Sequence, residues 1–542
     1  MKKIGNTGSF KKFYLNDQIY VDKTEYIYNL INNEARVFIS RPRRFGKSLT
    51  LDTIATLFET GVEPYFKGTW IYDKWTEPTY PVLRLNFLDL DKYSLEHFKQ
   101  KLNAIISSFA RDINVKNYEE KVEPEDTIYF LLDELRKEKR QIVILIDEYD
   151  CQMTANINNE TLYKQFQEKI KSFYSTIKNK WPIKFLGITG VTRLKDVEIF
   201  SIGSDIRDIT NASAYSQMIG FTRDEIKKYY IDYLKLASSY ENNCSVYNVT
   251  DEQIESLLDR LAKNYDGYCF DEFYKKKVFS TWSVNSFFQS IVENKFVFFD
   301  EYWYDNGGLP SILVNYLKTH ELNIFEYLDK DKFLKVSSDD FKNPTALTTI
   351  NQNVLMSQTG YLTLRSDLKK SSTVLLGIPN GEIYKALNRL LANNIFKGKA
   401  DVTDDQGKNL LEEGTVDDII NLFNSALNSV SYDNYPIVSE SSVQNMLKLY
   451  LLGAHQEVLS EVHEAKGRAD LIVNTDIRRI VFEFKYAQNE SEAKTKLSEA
   501  VEQIKSRDYG NILPKKHELL RIAAVFNADP KVRAFTENQI VP

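Results

Sequence analysis

Between Arg36 and about Gly220, short apolar runs alternate with stretches whose apolar positions recur every three to four residues. Such alternation predicts a parallel sheet with helices on both faces. The expected strands are Arg36–Ser40, Val82–Phe87, Ile142–Asp147 and Ile183–Thr189. Beyond 221 the period becomes helical, with amphipathic runs over Phe221–Leu236 and Asp251–Asn264, and predicts a helical lid. Residues 331–431 are mixed, with acidic clusters at Asp401–Gly407 and Glu412–Asp418, and read as a connecting region of uncertain fold. From 432 onward a helix at Glu440–Leu452, strands at Val458–His463, Ala469–Asn474 and Arg479–Tyr486, a helix at Glu492–Ser506 and a strand at Leu519–Phe526 predict a second α/β unit. The expected division is therefore 1–220, 221–330, 331–431 and 432–542.

Composition narrows the class without naming an activity. The chain has 542 residues, enough for several folding units, and 43% hydrophobic with 27% charged residues is ordinary globular composition. A balance of 70 Lys plus Arg against 76 Asp plus Glu argues against a generally cationic nucleic-acid coat protein but leaves room for a local cleft. No run of about 18 apolar residues and no signal-like start is found, so a soluble, cytoplasmic protein without membrane contact is expected. Cys151, Cys244 and Cys269 form no CxxC pair, and His455 and His463 have no ligand-spaced partners, which argues against zinc. The 33 Tyr and 32 Phe are read mainly as packing.

The segment RVFISRPRRFGKSLTLDTIATLF sets a strand, a turn and a helix around Gly46, Lys47 and Ser48. A phosphate cradle needs inward backbone amides, a lysine for the terminal phosphates and a hydroxyl for magnesium at a helix N-terminus. The usual pattern also has glycine at position 41, where this chain has Arg41. About 100 residues on, QIVILIDEYD is an apolar strand ending in two carboxylates. Asp147 would bind the magnesium's water shell, and Glu148 would orient the attacking water. In IKFLGITGVTRL, Thr189 would sense the γ-phosphate and Arg193 would touch phosphate, with a satisfied strand-end threonine and a surface arginine as the alternatives.

These residues resemble the bacterial AAA-ATPase-like proteins. The resemblance rests on Tyr20–Thr24 (YVDKT), Arg41–Ser48 (RPRRFGKS), Ile146–Asp150 (IDEYD) and Thr189–Val191 (TGV). It continues through IRDIT (Ile206–Thr210), YDGYCF (Tyr265–Phe270), WSVNSF (Trp282–Phe287), GGLPSIL (Gly307–Leu313) and QTGYLTL (Gln358–Leu364). The family also carries arginine where the standard loop has its first glycine, while GGLP departs from its pattern. The resemblance implies that ATP is held by Arg41, Pro42, Arg43, Arg44, Phe45, Gly46, Lys47 and Ser48, with magnesium at Ser48 and Asp147.

Near the C-terminus, SEVHEAKGRADLIVNTDIRRIVFEFKYA holds a second constellation. Side chains alternate faces along a strand, so Glu483 and Lys485 share one face while Phe482 and Phe484 share the other. If the strand bearing Asp470 lies alongside, Asp470 and Glu483 would hold magnesium, and Lys485 would orient a water or stabilise charge on a phosphate. A charged edge strand with a surface ion pair is the alternative. The segment resembles the PD-(D/E)XK nuclease superfamily in the form that terminates this AAA-ATPase-like family. That resemblance implies Glu440 and Glu461 as further acidic metal-site positions and Gln503 as the helix glutamine. Residues 440–542 contain 15 basic and 15 acidic residues, so charge alone would bind a duplex weakly.

Together the readings predict an α/β protein: an N-terminal P-loop domain, a helical lid, a connecting region and a C-terminal restriction-endonuclease-like domain. The resemblance implies ATP-regulated, magnesium-dependent cleavage of nucleic acid, DNA before RNA, in defence or mobile-element biology, with a homo-oligomer allowed. The alternatives are a nucleotide-gated scaffold that binds nucleic acid or protein without cutting, and an ATPase that remodels a partner protein.

Overall fold

In a computed structural model of the chain, residues 1–542 are described except 179, 195–204, 304–310, 318–319, 321–322, 345, 397–403, 465–466 and 511–516. The side chains of 311, 404–406, 460–464 and 467 are likewise not described. Gly307–Pro310 of the GGLPSIL segment and Lys466 thus lie outside the described residues, as does the Glu461 side chain. Two compact units are present: Met1–His320 with Phe333–Ile383, and Glu321–Lys332 with Tyr384–Pro542.

The first unit is built on β1 (Arg36–Ser40), β2 (Val82–Asn86), β3 (Ile142–Asp147), β4 (Ile183–Gly190) and the two-residue β5 (Arg207–Asp208). They pair in parallel in the order β2-β3-β4-β1-β5. Ile142–Ile146 are buried throughout, as a strand covered on both faces requires. Placing β4 between β1 and β3 brings the C-terminal ends of three strands to one edge, where α1 (Lys47–Thr60) begins.

The helix expected over Phe221–Leu236 is two helices, Arg223–Tyr229 and Ile231–Glu241. Tyr230 between them is 1% exposed, its ring stacked on Phe288 at 5.2 Å, and its hydroxyl donates to Asn285 Oδ1. Packing of this one ring overrides the local helical period. These helices and α2 (Thr281–Asn294) enclose a core that also takes Ile19 and Val21. A small antiparallel sheet, β6 (Leu334–Ser337), β7 (Thr363–Leu364) and β8 (Thr373–Gly377), ordered β6-β8-β7, completes this unit.

In the second unit, α3 (Val416–Leu427) and α4 (Glu440–Gly453) precede β9 (Glu457–Glu464), β10 (Gly467–Asn474) and β11 (Arg478–Ala487). Then follow α5 (Glu490–Arg507), β12 (Glu518–Asn527) and β13 (Ala534–Ile540). The sheet order is β13-β12-β11-β10-β9, with β11 and β12 parallel and the other pairs antiparallel. A parallel pair needs a crossover, and α5 supplies it, packing Ala500, Val501 and Ile504 against Ile472 and Val481. β13 was not expected because Ala-Phe-Thr-Glu-Asn-Gln-Ile is polar and sits at the sheet edge, where a strand gives little hydrophobic signal.

Candidate active sites

The turn after β1 carries Arg44 at φ 69° and Gly46 at φ 104°, and α1 starts at Lys47. Gly46 is needed for its left-handed backbone, since a Cβ there would meet no atom within 4 Å. Open space above the loop belongs to a cavity of about 730 Å³ lined by Arg43–Thr50, Glu148 and Lys92. Tyr20, Val21 and Lys23 of the YVDKT segment line it too, as do Gly220, Phe221 and Trp282 from the helical region. Its volume suits a nucleotide-sized ligand.

Lys47 is 4% exposed and donates to the carbonyls of Arg41 (3.1 Å) and Pro42 (3.2 Å), with Nζ 3.6 Å from Glu148 Oε1. Burial pushes the Glu148 carboxyl above its ordinary value, Lys47 opposes this, and Asp150 and Asp147 add to it. Asp147, at the end of β3, accepts from Thr189 Oγ1 and from the Glu148 amide at 3.0 Å. Glu148, Lys47, Ser48 and the loop amides are therefore gathered at one place, with Asp147 and Thr189 beside them on adjacent strands. Asp150 is a structural carboxylate, accepting from the Thr192 amide at 2.7 Å.

Arg41 and Arg193 do not line this cavity. Arg41 is 1% exposed, donates to the carbonyls of Ser40 and Thr210, and lies 4.0 Å from the centre of the Phe270 ring. Burial pulls it down to about 9 although Asp208 works against this. Arg193 pairs with Asp208, and both arginines face a separate cavity of about 40 Å³ with Pro42. A residue that holds the loop from behind and one that touches phosphate look alike in a motif. Phe45 is buried edge-on against Tyr268 at 4.7 Å. Trp282, 3.9 Å beneath the Arg44 guanidinium, was visible only as part of the WSVNSF match.

In the second unit the register of β10 and β11 sets Leu471 opposite Phe482 and brings Asp470 to the level of Glu483. Asp470 Oδ2 accepts from the Phe484 amide at 2.9 Å, while Gln444 of α4 donates to the Asp470 carbonyl at 2.7 Å. Lys485 Nζ lies 2.9 Å from Glu483 Oε1 and 3.4 Å from Glu440 Oε1. Glu483 is fully buried, and its Oε2 has no hydrogen-bond partner among the described residues. Burial and then Asp470 push the Glu483 carboxyl up to about 7, against Lys485. Burial likewise raises Asp470, with the Phe484 amide opposing. Burial works to lower Lys485, but Glu483, Glu440 and Asp470 outweigh it and hold the ammonium above its ordinary value.

Asp470, Glu483, Lys485 and Glu440 thus converge. Gln503 lies half-buried on α5, and no hydrogen bond or ion pair joins its side chain to them among the described residues. One turn on, Arg507 donates to the Tyr509 hydroxyl at 2.8 Å, and that hydroxyl donates to the Arg468 carbonyl at 2.7 Å. Gln444 and Tyr509 carry no motif signal and act through the backbone, so residue type alone could not reveal them. Among the described residues no three His, Cys, Asp or Glu side chains form a metal-holding group. The unpartnered Glu483 oxygen beside Asp470 is nonetheless the donor type that a hard divalent cation takes.

Comparison with known proteins finds a family match in each of the two regions that hold these residues. Residues 4–200 match the family described as predicted AAA-ATPase, and residues 438–535 match the PD-(D/E)XK nuclease superfamily. A protein of Azotobacter chroococcum mcd 1, described as "Uncharacterized protein in vnfD 5'region", is 26% identical over 537 residues, 95% of this chain and 94% of its own. The Walker-type ATPase paby2304 of Pyrococcus abyssi aligns over 71% of this chain and 98% of its own at 13% identity and a TM-score of 0.36. Cdc6p from Pyrobaculum aerophilum aligns over 72% of this chain and 99% of its own at 11% identity and a TM-score of 0.23. No helix among the described residues is long and apolar enough to cross a membrane. The chain is thus an α/β protein that joins a predicted AAA-ATPase domain to a PD-(D/E)XK nuclease superfamily domain.

Proposed function

We propose that the protein is a cytoplasmic ATPase that regulates its own magnesium-dependent cleavage of nucleic acid, with DNA the preferred substrate, in defence or mobile-element biology. The observation that carries the nuclease reading is the cluster of buried Glu483 with half-buried Asp470 and Lys485, in which one Glu483 carboxylate oxygen has no hydrogen-bond partner among the described residues. Magnesium bound there would polarise the scissile phosphodiester. Asp470 and Glu483 would hold it with Glu440 and Glu461 as further candidates. Lys485 would orient the attacking water or offset charge on the phosphate, and Gln503 would stand as the helix glutamine of the site.

In the first unit, Gly46 and the following amides would cradle the phosphates, Lys47 would leave the Arg41 and Pro42 carbonyls for the terminal phosphate, and Ser48 and Asp147 would hold magnesium. Glu148, pushed up by burial, would take the proton of the attacking water. Incubating the full chain with single- and double-stranded DNA and RNA, with and without ATP and magnesium, tests both halves. Magnesium-dependent cutting supports the reading, and its absence on every substrate removes it.

A second reading is a nucleotide-gated scaffold. Its support is that Lys485 is paired with both Glu483 and Glu440, an arrangement that offsets part of the carboxylate charge without metal. Nucleic-acid retention without cutting would favour it.

A further inference from the structure

Two consecutive carbonyls of the phosphate loop are gripped from the helical region. Thr281 Oγ1 donates to the Arg44 carbonyl at 2.9 Å, and the indole of Trp303 donates from Nε1 to the Arg43 carbonyl at 3.3 Å. Trp303 is fully buried, edge-on to Tyr361 at 5.3 Å, and its own main-chain amide donates to Glu382 Oε1 at 2.7 Å. Glu382 opens the helix Gly381–Ile395, is 2% exposed, and through Oε2 accepts from Ser283 Oγ at 2.8 Å. Ser283 stands two residues after Thr281 in the first turn of α2, so the contacts close on themselves.

The ring runs from Arg43 to Trp303, Glu382, Ser283, Thr281 and back to Arg44. Its members come from four segments spread between Arg43 and Glu382, yet every link is a hydrogen bond or a step along the local chain. Gly360 makes room for the loop, since a Cβ there would come within 2.9 Å of Pro42 Cβ and 3.4 Å of the Trp303 ring. Fixing a carbonyl fixes the amide on the other side of the same peptide plane. The carbonyls of Arg43 and Arg44 therefore set the direction of the Arg44 and Phe45 amides at the mouth of the cradle.

We propose that Glu382 is a positioning residue for nucleotide binding, holding the phosphate loop in its receptive shape through Trp303 and Ser283. This rests on the nucleotide reading above. A buried carboxylate that accepts from a main-chain amide and a hydroxyl is costly to bury, and neither contact touches the ligand cavity. Its return lies in the indole of Trp303, which ends on the loop.

The test uses the full chain with Glu382→Ala, Glu382→Gln, Trp303→Phe and the double variant Glu382→Ala/Trp303→Phe. Hydrogen exchange of amides in residues 43–46 is measured without nucleotide, and ADP affinity by calorimetry. Trp303→Phe and Glu382→Ala should each speed exchange and weaken ADP by about tenfold, the worth of one lost hydrogen bond, with the double variant no worse than either. Glu382→Gln, which keeps an acceptor for the Trp303 amide, should stay within about threefold of wild type. Unchanged exchange in Trp303→Phe and Glu382→Ala, additive losses in the double variant, or a Gln variant as impaired as Ala would overturn the proposal. Trp303→Phe keeps the test open should Glu382→Ala not fold. A wild type that binds no ADP would remove the nucleotide reading, while the exchange data would still judge the ring.

Discussion

Lys485 Nζ stands 2.9 Å from Glu483 Oε1, while Oε2 of the same buried carboxylate has no hydrogen-bond partner among the described residues. One oxygen of Glu483 is held by Lys485, and in the proposed site the other would face the metal. Lys485→Met should therefore leave Glu483 without its neutralising charge and push its carboxyl further up, so that it stays protonated near neutral pH. Cleavage should fall by about 10²-fold or more, with ATP affinity unchanged. Gel-based cleavage rates beside nucleotide titration check this.

The raised Glu483 carboxyl gives a sign to the pH dependence. With a value of about 7 in the folded protein against an ordinary 4.5, the folded state keeps a proton that the unfolded state releases. Stability should thus be highest below the unfolded value and decline as pH rises from there through about 7. The loss is on the order of 3 kcal/mol, and Glu483→Gln should remove it. Divalent metal, which needs the ionised carboxylate, should bind more tightly as pH rises over the same range. Thermal melts from pH 5 to 8, with and without magnesium, read both effects; a Gln variant with the wild-type slope would contradict the assignment.

For the nucleotide site, Lys47→Ala should weaken ATP binding by at least tenfold, since Lys47 lines the cavity, donates to the Arg41 carbonyl and lies beside Glu148. Glu148→Gln should bind ATP with wild-type affinity but hydrolyse it on the order of 10²-fold more slowly. Equilibrium binding and phosphate release separate the two outcomes, and wild-type hydrolysis in both variants would contradict the site.

A fragment cut at 432 would lose α3, whose Asn424 side chain donates from Nδ2 to the Phe535 carbonyl of β13 at 3.1 Å and accepts at Oδ1 from the Phe535 amide at 2.7 Å. Phe423 of the same helix packs on Phe482 and Phe535. We expect residues 384–542 to fold cooperatively and 432–542 to be markedly less stable. Urea melts followed by circular dichroism compare them, and equal midpoints would show α3 to be dispensable.

Much of this was legible in the chain. The four long strands of the first sheet follow from continuous apolar runs, and Gly46-Lys47-Ser48 with Asp147-Glu148 follow from spacing. Glu483 and Lys485 follow from strand alternation. What escaped depends on packing between distant segments. Tyr230 breaks a helix because its ring stacks on Phe288, a partner 58 positions away. Arg41 turns behind the loop because Phe270 and the Thr210 carbonyl take its guanidinium, and β13 hides in a polar edge sequence. Trp303, Glu382 and Gln444 act through backbone groups, which residue type does not advertise.

The most direct measurement of the central claim is a cleavage time course on double-stranded DNA by wild type and Asp470→Asn, each with magnesium or with chelator. The account predicts cutting by wild type with magnesium alone among the four conditions, with ATP binding intact in the variant. Equal cutting by Asp470→Asn, or cutting that survives the chelator, would contradict a metal site built on Asp470 and Glu483.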